Sequence, residues 1–312
     1  MKPVLFASTK PLERAENLRA VYEAYEGDKV HVRVDPWRKH RAITSGEHDV
    51  MVIDEYPTVT PGKAVLIGHG IAGGKTGGLL QPHPYYHAEQ AKLITYTITS
   101  GTEMVELVAK SDGIPPEKVL PLGMARTDRY AGKRKGDGKT ALAGKRAYLY
   151  VPTYRSAGDP PLPEIDWEWL DRELTDGEMI AVKAHPMTGL IVRRKLRHIV
   201  EIGPLEPTAD YLYDCDAVIT DYSSVMFDGY LLGKPAVLYE PDGGYTETRG
   251  MNMEYPQAYS SRYCRNEKDL LRLLREADGL NETEKRCVRH VADACDGHAC
   301  ERICRLIRKL AG

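Results

Sequence analysis

The residues best suited to chemistry stand where apolar runs stop. His69 directly follows the run "AVLIG" and is flanked by Gly68 and Gly70. Imidazole titrates near neutrality, which suits a general base that takes a proton from a hydroxyl. The two glycines leave room for a substrate to approach the backbone. A second histidine, His185, closes the run "MIAVKAHP", two residues after Lys183. Side chains at that spacing project to the same side of an extended strand, so both could meet a phosphate oxygen. A third polar corner, Asp221, Ser223 and Ser224, lies between a run that ends at Thr220 and a helical stretch stopped by Gly233 and Pro235. Serine there can cap the helix or hold an anion at its free N–H groups, and one corner can do both.

The stretch "VLIGHGIAGGKT" invites an ATP-binding reading. A P-loop needs G-x-x-x-x-G-K-[ST]. Counting back from Gly74-Lys75-Thr76, the first glycine should fall at position 69, where His69 stands. The strand-plus-acid "VMVIDE" also precedes this loop, whereas P-loop enzymes place it after. The loop is therefore read as presenting a base.

These corners need a scaffold of alternating strands and helices. "PVLFAS", "KVHVRV", "DVMVIDE", "AVLIGHG", "KLITYTITS" and "KVLPLG" read as strands, with "ERAENLRAVYEAY" and "TEMVELVAKSDG" as helices among them. A second set follows. It has strands in "RAYLYVPTY", "MIAVKAHP", "HIVEIG", "AVITDYSS" and "PAVLYEPD", and helices in "EIDWEWLDREL", "ADYLYDC" and "SSVMFDGYLLG". After Asn266 the chain reads as helical to its end. Such alternation predicts α/β architecture with parallel sheets, and ligands at the carboxyl ends of strands. Between the sets, "AGKRKGDGKTALAGKR" is rich in Gly and Lys without an apolar period, and reads as a solvated linker.

The 312 residues exceed one ordinary core, so two domains are expected. A formal charge of −2 gives no global pull toward nucleic acid. No run approaches the ~18 apolar residues of a spanning helix. The start "MKPVLFASTK" is too short in apolar residues for a signal peptide, which predicts a cytoplasmic protein with at most peripheral contact at the inner face of the membrane. Cys287, Cys295, Cys300 and Cys304 crowd the C-terminus without the tight pairs of a zinc site, and read as packing thiols; no metal site or cofactor is expected. "GHACERICRLIRKL" carries Ala299, Ile303, Leu306 and Leu310 on one stripe, with basic residues mostly off it. That stripe fits packing on the first domain, with membrane-surface binding as the competing reading.

The chain resembles the CDP-glycerol glycerophosphotransferase family of teichoic-acid polymer synthesis. The resemblance rests on "HG" at 69–70, "PLGMARTDRY" against G-x-P-R-x-D, "VPTYR" against A-P-T-x-R, and "KAHP" against R-x-H-P. It extends through "ADYLYDCDAVITDYSSVMFDGYLLGKPAVLY" and "DGHACERI", in family order from about residue 65 to the C-terminus. Two positions depart from it: Ile71 replaces the threonine of H-G-T, and Lys183 replaces the arginine of R-x-H-P.

The resemblance implies a GT-B fold, two Rossmann-like doubly wound domains facing a cleft. The expected boundaries are an acceptor domain over 1–135, a linker over 136–146, a CDP-donor domain over 147–296, and a C-terminal helix over 297–312 crossing back to the first domain. It further implies that His69 is the base and that His185 is catalytic and meets the donor pyrophosphate. Ser223, Ser224, Asp221, Thr153, Arg155 and Lys183 would surround the donor. Gly70, Lys75, Arg126 and Asp128 would serve the acceptor or the interdomain region. The implied reaction moves glycerol phosphate, or a related polyol phosphate, from a CDP-linked donor to a hydroxyl acceptor, polymeric or lipid-linked, with release of CMP. A GT-B glycosyltransferase using a nucleotide-sugar and a non-catalytic nucleotide-binding module are the alternatives. No nucleic-acid partner is expected.

Overall fold

The computed structural model describes residues 2–34, 48–54, 62–68, 70–71, 92–155, 161–185, 188–189, 191–192, 194–203, 205–241, 251 and 253–312. The chain divides into two compact units, one of residues 1–131 with 289–312, the other of residues 132–288.

In the first unit the strands are β1 (Val4–Ser8), β2 (Lys29–Arg33), β3 (Val50–Ile53), β4 (Lys63–Leu66), β5 (Tyr96–Ile98) and β6 (Val119–Leu120). They form one sheet in the order β2-β1-β3-β4-β5-β6, and every pair is parallel. The strands β1 and β3 are buried along their whole length, as a sheet covered on both faces requires. Helix α1 (Glu16–Ala24) buries Leu18 and Val21. Helix α2 spans Val105–Asp112.

The second unit holds β7 (Arg146–Tyr150), β8 (Glu178–Val182), β9 (Ile199–Glu201), β10 (Ala217–Thr220), β11 (Ala236–Tyr239) and β12 (Tyr263–Cys264). Their order is β12-β11-β10-β7-β8-β9, again all parallel. Its helices are α3 (Trp167–Glu173), α4 (Thr208–Asp214), α5 (Val225–Leu231) and α6 (Glu267–Glu276). Helix α7 (Glu282–Ala292) contains the boundary at 288–289, and α8 (Ala299–Ala311) lies in the first unit. The stretch after Asn266, read as helical throughout, is thus three helices with breaks at 277–281 and 293–298. The two-residue strand β12 is too short to leave a period in sequence.

Helix α8 packs into the core of the first unit. Ile303, Cys304 and Ile307 are buried with Phe6, Leu18, Val21 and Val65, and Leu306 and Leu310 are partly buried against the same cluster. Its first turn is capped by Asp128, whose Oδ1 and Oδ2 accept from the N–H groups of Ala299 (3.0 Å) and Cys300 (2.7 Å). A carboxylate there satisfies two orphan donors and complements the helix dipole.

The stretch 136–146, read as a solvated linker, is anchored in the second unit. Asp214, fully buried at the end of α4, accepts from the N–H groups of Gly136 (2.9 Å), Gly138 (3.1 Å) and Thr140 (2.8 Å) and from Thr140 Oγ1 (2.7 Å). Glycine is required at 138, because a Cβ would lie 1.9 Å from the Asp210 carbonyl oxygen. Burial alone would raise the Asp214 pKa, but the bonds from Thr140, Gly136 and Gly138 outweigh it and hold the carboxyl below its ordinary value. A group depressed in the folded state contributes stability that is present above its unfolded pKa of about 4 and is lost as pH falls through the folded value. Asp214→Asn is therefore expected to flatten the acid limb of a urea-midpoint-versus-pH series. Asp214→Ala, which strands three N–H groups, should cost about 3–4 kcal/mol.

Cys215, Cys264 and Cys287 are buried, and loss of solvation pushes each thiol up to about 12. Burial raises Cys300 and Cys304 as well. Only thiolates react readily. Iodoacetamide at neutral pH is thus expected to label these five slowly in the native protein and all at once on unfolding, as mass spectrometry would show. Among the described residues no group of three or more His, Cys, Asp or Glu side chains could hold a metal ion, and no helix is long and apolar enough to cross a membrane.

Candidate active site

In the second unit the strand order reverses between β7 and β10, the position at which doubly wound sheets bind ligands beyond their carboxyl ends. Three corners with predicted site residues leave the sheet here. After β7 come Thr153 and Arg155, after β8 Lys183 and His185, and after β10 Asp221, Ser223 and Ser224.

Asp221 joins the corners of β7 and β10. It is buried, and its Oδ1 accepts from the N–H groups of Thr153 (2.8 Å) and Tyr222 (2.6 Å). Its Oδ2 is ion-paired with Arg155 Nη2 at 2.8 Å, and Arg155 Nη1 also donates to the Thr153 carbonyl at 2.9 Å. The pair of opposite charges, both nearly out of solvent, ties two loops together. Asp221 and Arg155 thus make positioning contacts with each other.

The polar groups around that tie differ in exposure. Thr153 Oγ1 is buried without a hydrogen bond among the described residues. Ser223 and Ser224 are half-buried. Ser224 occupies the cap position of α5, yet its side chain makes no capping bond. Ser223 Oγ lies 3.5 Å from the Val225 N–H, at the limit of a hydrogen bond. Lys183 is buried and its N–H donates to the Tyr150 carbonyl at 2.9 Å, whereas His185 is exposed. The His185 ring packs against Tyr154, with centroids 4.8 Å apart.

Tyrosines and one acid support the corner from behind. Buried Glu240, just past β11, accepts from the hydroxyls of Tyr222 and Tyr263. Tyr222 also packs at a tilt against Tyr255, with ring centroids 5.1 Å apart, and the Tyr255 hydroxyl donates to the Asp221 carbonyl at 3.4 Å. Burial, then the charges of Glu240 and Asp221, raise the Tyr255 pKa, so it stays a donor. Sequence reasoning passed over Glu240. Its signal was an acid ending the apolar run "PAVLYE".

In the first unit His69 and Lys75 lie outside the described residues. Gly68 is described and adopts φ +62°, a conformation that favours glycine. Buried Asn17 on α1 clamps this corner: its Nδ2 donates to the Gly68 carbonyl at 3.1 Å, and its Oδ1 accepts from the Arg126 N–H at 2.8 Å. Asn17 was also missed, although a poor helix former on the buried face of a helix is a signal. Arg126 is buried and donates to Tyr130 Oη at 3.2 Å. Glu16 pairs with Arg129 at 2.9 Å; burial would raise its pKa, but Arg129 and Arg126 together bring it below the ordinary value. Gly70 is half-buried beside buried Ile71. Asp128 spends both oxygens on α8, as described above.

Two doubly wound parallel sheets, one with polar strand ends gathered at its switch point, define an α/β protein of the GT-B class. The wall teichoic acid polymerase TagF has this fold: its structure superposes with a TM-score of 0.78 at 18% identity, covering 99% of this chain and 89% of that one. The UDP complex of MnaA from S. aureus superposes with a TM-score of 0.60 at 14% identity, covering 99% of this chain and 96% of that one. The chain belongs to the CDP-glycerol:poly(glycerophosphate) glycerophosphotransferase family, whose model matches residues 68–309. It is 25% identical over 280 residues to the teichoic acid poly(ribitol-phosphate) polymerase of Bacillus spizizenii, covering 81% of this chain and 45% of that protein. It is 28% identical over 239 residues to the teichoic acid glycerol-phosphate transferase of Staphylococcus aureus, covering 69% and 60%. The chain thus spans about half the length of the curated relatives it matches.

Proposed function

We propose that this chain transfers a polyol phosphate, glycerol phosphate in the first instance, from a CDP-linked donor to an acceptor hydroxyl. The observation that carries this reading is the set of hydroxyl and imidazole groups gathered at the switch point of the second unit, in a chain of this family. The half-buried Ser223 and Ser224 and the exposed His185 are suited to donate to the diphosphate. The buried Thr153 hydroxyl, with no partner among the described residues, suits a ligand that supplies one. The tie between Asp221 and Arg155 holds these corners in register, so little reorganisation is needed when negative charge builds.

In the proposed reaction the acceptor oxygen attacks the β-phosphorus of the donor. The new P–O bond forms as the bond from that phosphorus to the bridging oxygen breaks, and CMP departs with the electron pair. The hydroxyl proton passes to His69. Such transfers depend on positioning and charge neutralisation.

The test is nucleotide release. Purified protein incubated with CDP-glycerol, or with CDP-ribitol, and a polyol-phosphate acceptor should liberate CMP in step with growth of the acceptor. Release of a nucleoside diphosphate from a nucleotide-sugar would instead identify a glycosyltransferase. Binding of the CDP donor with no turnover on any acceptor would identify a binding module.

A further inference from the structure

The second unit carries a cavity at the opposite end of its sheet. It is an open hollow of about 680 Å³ where β7, β10 and β11 begin, and its cations are Lys135, Lys145, Arg146, Lys234 and Arg275. The five residues of β7 separate this end from the Thr153 corner, about 16 Å at strand rise. It is therefore separate from the site at the carboxyl ends. Two of its cations, Lys135 and Lys145, come from the Gly- and Lys-rich stretch that was read as a linker.

The cations are not equally neutralised. Lys135 pairs with Asp216 at 2.5 Å, and Arg275 pairs with Glu178 at 2.7 Å. Lys145 and Arg146 are held differently, by neutral carbonyls. Lys145 Nζ donates to the Asp176 carbonyl at 2.6 Å, and Arg146 Nη2 to the Arg275 carbonyl at 2.5 Å. A carbonyl fixes a cation in place without cancelling its charge. The Lys234 ammonium forms no hydrogen bond or ion pair among the described residues. Among the described lining residues these three face one carboxylate beyond Asp216, that of Asp278, and from outside the lining the exposed Asp176 carboxylate lies within electrostatic reach of Lys145. Like charges gathered in a concavity repel unless an anion joins them.

We propose that this cavity is a second anion site, which takes a chain of several phosphates without an aromatic group. The volume admits more than one phosphate. Among the described residues no aromatic side chain lines it, so none of them would stack a nucleobase, and apart from the two aspartates and the cations the described lining is glycine, proline and alanine. Lysine and arginine on several loops match a ligand whose charges are spaced along a chain. A phosphodiester oligomer and a condensed inorganic phosphate share this chemistry. A flat lipid surface fits a concave wall less well. The inference stands apart from the donor-site reading, because none of its residues belongs to that site.

The test uses the full-length protein and calorimetric titration with inorganic tripolyphosphate and, separately, with a glycerol-phosphate oligomer. Lys145→Gln with Lys234→Ala alters two side chains that no buried carboxylate depends on. This pair is expected to weaken binding of at least one probe tenfold or more, with unchanged Tm, and Ser223→Ala with Ser224→Ala should leave that binding in place. Each lost charge-assisted contact is worth roughly a factor of ten. Binding of the oligomer alone identifies a phosphodiester chain, and binding of tripolyphosphate alone a condensed phosphate. The proposal is overturned if both probes bind equally well to the lysine variant, if the serine variant loses the binding, or if neither probe binds. It is also overturned if only phosphatidylglycerol vesicles respond to the lysine changes.

Discussion

Replacing His69 with alanine is expected to lower turnover by about 10²–10⁴-fold, the usual contribution of a general base, while leaving affinity for a CDP-linked donor unchanged. The separation follows from the proposed division of labour. His69 serves the acceptor from the first unit, whereas the donor contacts belong to strand ends of the second. His185→Ala, or Ser223→Ala with Ser224→Ala, should instead raise the donor KM and Kd, because hydrogen bonds to phosphate oxygens are lost. Ser224 makes no capping bond, Ser223 lies at the 3.5 Å limit of one, and His185 is exposed, so the fold should survive each change. Titration of CDP-glycerol into each variant, beside a CMP-release assay, reads both quantities. If His69→Ala abolishes donor binding and His185→Ala leaves it intact, the roles are reversed. If neither variant alters turnover, the transferase reading fails.

Deleting residues 298–312 should cost the first unit its cooperative fold. The deletion removes Ile303, Cys304 and Ile307 from a core shared with Phe6, Leu18, Val21 and Val65. At about 1.5–3 kcal/mol for each fully buried large side chain, the loss rivals the 5–15 kcal/mol that stabilises a typical domain. It also strands the Asp128 carboxylate, which the helix N-terminus now satisfies. A milder variant keeps the test interpretable. Ile307→Ala creates a cavity and should cost about 2–5 kcal/mol, visible as a lower Tm with an intact far-ultraviolet spectrum. The apolar stripe of α8 is spent on this core, so Arg305→Gln with Lys309→Gln, both outside it, should lower Tm only slightly, by the exposed Arg305–Glu301 pair that is lost. A truncated protein that melts as the full chain does, and loses only liposome binding, would return the helix to the membrane.

Much of the scaffold is legible in the amino-acid sequence. Runs such as "VLFAS" and "VMVI" are continuous and apolar because each strand is buried on both faces, and that signature distinguishes a parallel sheet from an antiparallel one. Residues such as Ser223 and His185 could be placed at strand ends, since chain polarity fixes which end of a strand meets the following loop. Fold class follows from this local code, because alternating strands and helices leave few ways to bury both faces.

Partners across the chain were not legible. Asp128 caps a helix 171 residues away, Asn17 clamps a loop 51 residues away, and Asp221 meets Thr153 across 68. Nothing local marks such pairs, since a carboxylate or amide reads the same whether it meets a ligand, an arginine or a row of orphan N–H groups. The Gly- and Lys-rich stretch 131–146 makes the same point. Its composition matches a solvated linker, and only the buried carboxylate of Asp214, brought beneath it by α4, turns that stretch into a fixed loop. By itself the sequence determined which segments are strands and helices and which residue types stand at their ends, because those depend on short-range periodicity. Tertiary structure alone decided what each polar group is bonded to, because a buried charge is satisfied by whichever distant group the fold delivers to it.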